Sequence, residues 1–281
     1  MTLDCMPCFI KQALMELRGS RLTREKEENI MRDMLFLLSE VDYEQAPVDI
    51  SLIMHDRMVE LGVSEDPYKE LKIYSTGKAL EMLPGLESEV RSSKDPLYEG
   101  ALAAIAGNVM DYGAKNMLDI HEVMKRAEKA GFAIDDWNIF IERMERAERL
   151  VYLLDNSGEV VFDHLFMRLI RERFPDLSIS AVVKSTPLLN DVTREDVIEA
   201  GIGSSSFIEI IEVPERGWAK PWHLEEWDDG RTLFISKGQG NFESLSGESG
   251  VFFLLVVKCE VVASYLNVDV GDIVFKYCTD R

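Results

Sequence analysis

A carboxylate and an amide stand side by side at Asp155 and Asn156, at the head of the segment DNSGEVVFD. They directly follow the apolar run Val151-Tyr152-Leu153-Leu154. That run is short, rich in β-forming residues and bounded by polar ones, which predicts a buried strand. Residues 159–174 carry a helical pattern. In open α/β sheets ligands sit at the carboxyl ends of strands, so this strand would deliver both side chains to a ligand crevice. Oxygen donors of this kind suit a hard divalent cation. Asn156 followed three residues later by Glu159 also has the spacing of a capping box, a role that would leave Asp155 unexplained.

A second strand end carries KSTPLLND, Lys184 to Asp191, after Ala181-Val182-Val183. Pro187 disfavours helix just before itself, and Thr193 with Asp196 can cap the helix that follows. If the two strands are neighbours in a parallel sheet, Asp155, Asn156 and Asp191 share one crevice. Two carboxylates and an amide oxygen suit Mg²⁺, Mn²⁺ or a similar oxygen-preferring ion. The alternative for Asp191 is a solvated loop position.

A third strand end carries ISKGQGNFESL, Ile235 to Leu245. Gly238 and Gly240 flank Gln239, and a helix is expected from Asn241. Glycines let backbone N–H groups approach an anion, and a helix amino terminus favours negative charge. Lys237 could offer a point charge to a phosphoryl group. The loop is neither a Walker loop nor a dinucleotide fingerprint, and a glycine-rich turn by itself is weak evidence.

Further candidates lie on a helix predicted over 97–112. Ala101, Ala104, Asn108 and Asp111 fall on one side of it. Asn108 and Asp111 would then line the mouth of the site, or else form the wet last turn before Gly113. Cys5 and Cys8 have the CxxC spacing of a thiolate metal site or a redox pair. Cys259 and Cys278 are the other two cysteines. The four histidines show no metal spacing, and no GxSxG elbow or HExxH helix is present.

The elements that position these residues change type along the chain. The first half reads as helix. Phe9, Ala13, Leu14 and Leu17 mark a first apolar face, and Ile30, Met31, Met34, Leu35 and Leu38 a second. Further helices are predicted at 49–61, 67–82, 97–112, 119–130 and 136–149, with Pro67 and Pro96 each behind an Asp cap. Strands are predicted at 151–154, 178–183, 206–212, 231–236, 251–257 and 272–277, separated by helices at 159–174, 194–200, 241–246 and 258–266. The segment 214–230, with Trp218, Trp222 and Trp227, reads as a long connection. This alternation implies an α/β class. The expectation is a helical domain over 1–149 and an α/β/α catalytic domain with a mostly parallel sheet over 150–281.

Charge and hydropathy narrow the function classes. The 281 residues carry a formal net charge of −20, which repels nucleic acid and anionic membrane at long range. An anionic substrate therefore needs a local positive group, a metal or a lysine. No segment is apolar for the roughly 18 residues of a membrane span, and no secretory leader pattern opens the chain. Four cysteines do not make a disulfide framework. The expectation from these features is a cytoplasmic protein.

Together the motifs resemble the damage-control phosphatase family, formerly a domain of unknown function, in its archaeal and bacterial branch. The matching pieces are DCMPC, DPYKELK at 66–72, KDPLYEGALAAIAGNVMDYG at 94–113, DNSGEVVFD at 155–163, KSTPLLND at 184–191, SKGQGNFESL at 236–245 and KC at 258–259. They run in family order over nearly the whole chain. One departure is Ser75-Thr76-Gly77, where relatives often carry an Asn after the Ser. The resemblance implies a helical region joined to a three-layer α/β/α fold. It also implies a metal-dependent phosphatase of small phosphorylated metabolites, with Mg, Mn, Co or Ni as the ion. Asp155, Asn156 and Asp191 would be its ligands. Lys237 and the backbone of Gly238, Gly240 and Asn241 would serve the phosphate, and Asn108, Asp111 and Ser185 the substrate. A carboxyl methyltransferase using S-adenosylmethionine is the competing enzyme reading, although no GxGxG loop follows the first strand. A non-catalytic metal- or metabolite-binding protein is a third.

Overall fold

The computed structural model describes residues 1–108, 124, 131–213 and 230–279. The helix expected at 119–130, the Gly113 stop and the tryptophan-bearing connection therefore lie outside the described residues, apart from Met124 and Gly230.

Three amino-terminal helices, α1 (Met6–Gly19), α2 (Arg24–Ser39) and α3 (Pro47–Glu60), form a small core of their own. Phe9, Ala13 and Leu17 meet Ile30, Met34, Leu38, Ile50 and Met54 there. The buried stripes are narrower than the apolar ones, since Leu14 and Leu35 face outward. Helix α4 (Lys69–Ser92) runs ten residues past its expected end, with Pro84 inside it. Pro84 is exposed, so the carbonyl it leaves without an amide can be solvated, while Leu86 and Val90 further along are buried. Helix α5 (Pro96–Gly107) starts as expected, with the Asp95 carboxylate accepting from the N–H groups of Leu97 and Tyr98.

Seven strands make one sheet: β1 (Ile134–Asp135), β2 (Arg149–Leu153), β3 (Ser178–Val183), β4 (Ile208–Glu212), β5 (Thr232–Lys237), β6 (Val251–Val256) and β7 (Ile273–Tyr277). Their order is β1-β7-β6-β5-β2-β3-β4. Every neighbouring pair is parallel except β6 with β7. Among the described residues the remaining α-helices are α6 (Trp137–Met144), α7 (Glu159–Arg173), α8 (Arg194–Glu199), α9 (Gly238–Leu245) and α10 (Glu260–Leu266). Strand β1 was not expected, because two residues show no periodicity.

Alternation along the strands builds the two faces. Leu150, Tyr152 and Leu154 pack with α4, α5 and α7, whereas Val151 and Leu153 pack toward Phe242 of α9 and Val262 of α10. The observed fold is thus the α/β sandwich expected, with a helical amino-terminal region. Leu86, Leu102 and Phe140, from helices before β2, share one hydrophobic cluster with the sheet.

The sheet also sets where a ligand sits. From β2 the chain proceeds outward through β3 to β4, and after returning at β5 it proceeds the other way to β6. The β2/β5 junction is therefore a topological switch point, where the crevice opens at the strand carboxyl ends. Asp155 follows β2 and Gly238 follows β5 at this junction.

On α7, burial first and Arg168 second push the His164 imidazole down to about 4, with its Nε2 2.6 Å from Ser205 Oγ. A histidine depressed in the fold contributes stability above its unfolded value, lost as pH falls from about 6.5 toward 4. By pH 5 this amounts to about 2 kcal/mol. Urea unfolding at pH 7 and pH 5 should show that much less acid sensitivity in His164→Gln than in the unmodified protein. Equal sensitivity would assign the acid loss to other groups.

Candidate active site

Three strand ends build the site. Asp155 and Asn156 leave β2, Asp191 closes the loop after β3, and the GQG turn leaves β5. Backbone pairing ties the first two together. Asn156 and Asp191 form an isolated antiparallel bridge, Val192 N–H donates to Asp155 O at 2.8 Å, and Ser157 N–H donates to Asn190 O at 2.9 Å. Asp155, Asn156 and Asp191 are all buried, and all three line a cavity of roughly 550 Å³. Asp191 is thus not a solvated loop residue.

Asn156 does not cap the following helix. The position before α7 is Gly158, at φ 83°. The Asn156 amide nitrogen donates instead to Asp155 Oδ2 at 2.6 Å and to Glu159 Oε2 at 3.4 Å. Its amide oxygen is then the end available to a cation. Asn108, the C-cap of α5, donates to the same two carboxylates, at 3.0 and 2.6 Å. It clamps Asp155 from the helical layer and does not itself line the cavity. Gly238 (φ 78°) packs against Asp155 so closely that a Cβ there would overlap the carboxylate. Both the backbone angle and the space require glycine at this position.

Lys237 differs from its expected place. Its ammonium is fully buried and meets Glu159, Asp163 Oδ1 (2.6 Å) and the Ala104 carbonyl (2.9 Å). All three ammonium donors are committed, and Lys237 is absent from the cavity lining. The physical reason is the pair of buried carboxylates on α7, which needs a counter-charge. Asn241 also turns inward, donating to Leu154 O at 3.1 Å and Lys237 O at 2.8 Å, and so fastens the end of β2 to that of β5. Ser185 is exposed on its loop outside the cavity lining. Gly240 does line the cavity. Asp111 lies outside the described residues.

The cavity also carries two cations, Lys11 of α1 and Lys258 after β6. Lys184, buried beside the site, stands 3.6 Å from Asp191 Oδ2. Burial pushes its ammonium down, against the pull of Asp191 and Asp155. Among the described residues no group of three or more His, Cys, Asp or Glu has metal-holding geometry. The Asp155, Asn156 and Asp191 set has only two such residues, its third donor being an amide.

Residues 1–274 match the family model of the damage-control phosphatase ARMT1-like domain. The chain belongs to this family. A damage-control phosphatase of Archaeoglobus fulgidus is 32% identical over 97% of this chain and 97% of its own. One of Pyrococcus horikoshii is 28% identical over 96% of each chain. The crystal structure of a DUF89 family protein from Pyrococcus horikoshii superposes with a TM-score of 0.82 at 29% identity, covering 99% of this chain and 98% of that one. The phosphatase class expected from the motifs is the class of this damage-control phosphatase family, and the fold matches that structure.

Both residues of the KC motif, Lys258 and Cys259, line the cavity. Lys258 ends the apolar run VFFLLVV, so the strand-end rule used for Asp155 also reaches it. Gln239 lines the cavity between the two glycines. Its Oε1 accepts from Lys258 N–H at 2.9 Å. Lys11 is an exposed helical lysine, and nothing in its own sequence neighbourhood sets it apart.

Proposed function

We propose that this protein is a metal-dependent phosphatase that hydrolyses phosphomonoesters of small metabolites, in the cavity at the β2/β5 switch point. The observation that carries the reading is the buried donor set of Asp155, Asn156 and Asp191, fixed by backbone pairing at the floor of that cavity. Two carboxylates and an amide oxygen fit Mg²⁺, Mn²⁺, Co²⁺ or Ni²⁺ better than a thiophilic ion. A divalent ion bound there supplies charge stabilisation for a phosphoryl oxygen and an acidified water.

The chain's own contribution is positioning and electrostatics. Asn108 and Asn156 donate to Asp155 Oδ2, which holds that carboxylate in one orientation at the cavity. Lys258 and Lys11 supply positive charge at the mouth of a protein with net charge −20, where a phosphorylated metabolite would otherwise be repelled. The amino terminus of α9, with Gly240 and Gln239 at the cavity, favours anionic oxygens.

The test is phosphate release from a panel of phosphorylated metabolites, using chelator-stripped protein supplied in turn with Mg²⁺, Mn²⁺, Co²⁺ and Ni²⁺. Metal-dependent release is expected. Lys258→Ala should raise KM about tenfold or more, the loss of one charge-assisted contact of about 1.5–3 kcal/mol. Release without added metal would remove the metal from the reading. Absence of release from metal-loaded protein would favour a binding protein.

A further inference from the structure

Three of the four cysteines line one cavity. Cys5 stands at the N-cap of α1, Cys8 in its first turn and Cys259 at the N-cap of α10. Cys259 lies some 250 residues from the other two in sequence, yet all three side chains line the cavity that holds Asp155, Asn156 and Asp191. All are free thiols, and Cys8 is exposed. Gln239 of the GQG turn donates to Cys259 Sγ at 3.3 Å, so Cys259 touches the loop beside the proposed ligands. Cys278 does not line the cavity.

We infer that Cys8 and Cys259 form a thiol–disulfide exchange site that takes low-molecular-weight disulfides and closes on a Cys8–Cys259 bond across the cavity mouth. The consequence for turnover rests on the phosphatase reading of this cavity, whereas the covalent chemistry does not.

The step balances as ordinary exchange. One cysteine thiolate attacks the small disulfide RSSR, forming a mixed disulfide and releasing RS⁻. The second thiolate displaces the other RS⁻. The two protein thiols are oxidised, the small disulfide is reduced to two RSH, and the protons pass through solvent to the leaving thiolates. The bond ties the start of α1 to the start of α10 and displaces Gln239 from Cys259. Burial first, then Cys259 and Cys5, push the Cys8 thiol up against the pull of Lys11.

The experiment treats the whole protein with oxidised glutathione, maps cysteine peptides by mass spectrometry and assays phosphatase turnover before and after reduction by dithiothreitol. The expected result is a Cys8–Cys259 peptide pair, with loss of two of the four free thiols. Turnover should fall on the order of 10²-fold, the cost of displacing a reacting group by about 1 Å, and return on reduction. Cys278→Ser should behave the same way. Cys8→Ser and Cys259→Ser should each keep their own reduced rate after the treatment. A Cys5–Cys8 bond, or glutathione retained on one cysteine without the cross-link, would overturn the pairing. A mapped Cys8–Cys259 bond with unchanged turnover would overturn the blocking role. The bond forming in a protein that releases no phosphate with any metal would count against the phosphatase reading alone.

Discussion

Asp155→Asn is expected to lose metal-dependent turnover by about 10³-fold while remaining folded. The substitution keeps shape and retains an oxygen that can accept from Asn108 and Asn156, which donate to Asp155 Oδ2 at 3.0 and 2.6 Å. What it removes is charge. Asp155 and Asp191 are the two carboxylates of the proposed donor set, and Glu159 stands just behind them, so losing one buried negative charge does not weaken the fold by repulsion. A Lewis-acid ion contributes several kcal/mol to transition-state charge stabilisation, and about 4 kcal/mol corresponds to the factor given. The measurement is kcat with each metal, paired with metal content after dialysis and a urea unfolding curve. Unchanged stability with metal content and kcat both lost is the expected pattern. A variant that retains its metal and its rate would place the ion elsewhere. Loss of stability by several kcal/mol would mean that Asp155 is chiefly a structural anchor.

The sequence made Asp155, Asn156 and Asp191 legible because each sits a residue or a short loop beyond an apolar β run, and strand ends are where a parallel sheet presents ligands. The same logic located the GQG turn, whose Gly238 the packing requires. It misassigned the neighbours for a reason common to single-sequence reading. Lys237 and Asn241 are polar residues at a strand end, a position equally good for touching a ligand and for fastening strands together. Only the third dimension, with Glu159 and Asp163 facing Lys237 from α7, distinguishes the two. Helix periodicity gave the elements of the first half but not their allegiance. Leu86 on α4 is as apolar as Met34 on α2, yet one belongs to the sheet's core and the other to a separate cluster. Partners so distant in sequence leave no local pattern.

Lys237→Met is expected to cost about 3–5 kcal/mol of stability, the effect of removing one partner from a buried ion pair. Both carboxylates facing Lys237 are fully or almost fully buried, and the methionine chain fills the space of the lysine stem while leaving their charges unopposed. The two acids differ in their relief. Burial already pushes the Asp163 carboxyl up to about 7, with Lys237 opposing that rise and Glu159 adding to it. Without Lys237, Asp163 takes up a proton more readily still, and Tyr152 OH, 2.7 Å from its Oδ1, can stay bonded. A carboxyl raised in the fold costs stability progressively as pH climbs from its unfolded value through its folded one. The deficit of the variant should therefore be larger at pH 8 than at pH 6, and Asp163→Asn in the same chain should recover part of it. Urea unfolding of the single and double variants at both pH values measures this directly. A variant as stable as the unmodified protein, with KM for phosphorylated substrates raised instead, would restore Lys237 to the phosphate contact its sequence position suggests. Some loss of turnover is expected even so, because Lys237 holds Glu159, Glu159 accepts from Asn108 and Asn156, and those two amides fix Asp155. Stability and site geometry in this protein thus depend on one buried ammonium that never reaches the cavity.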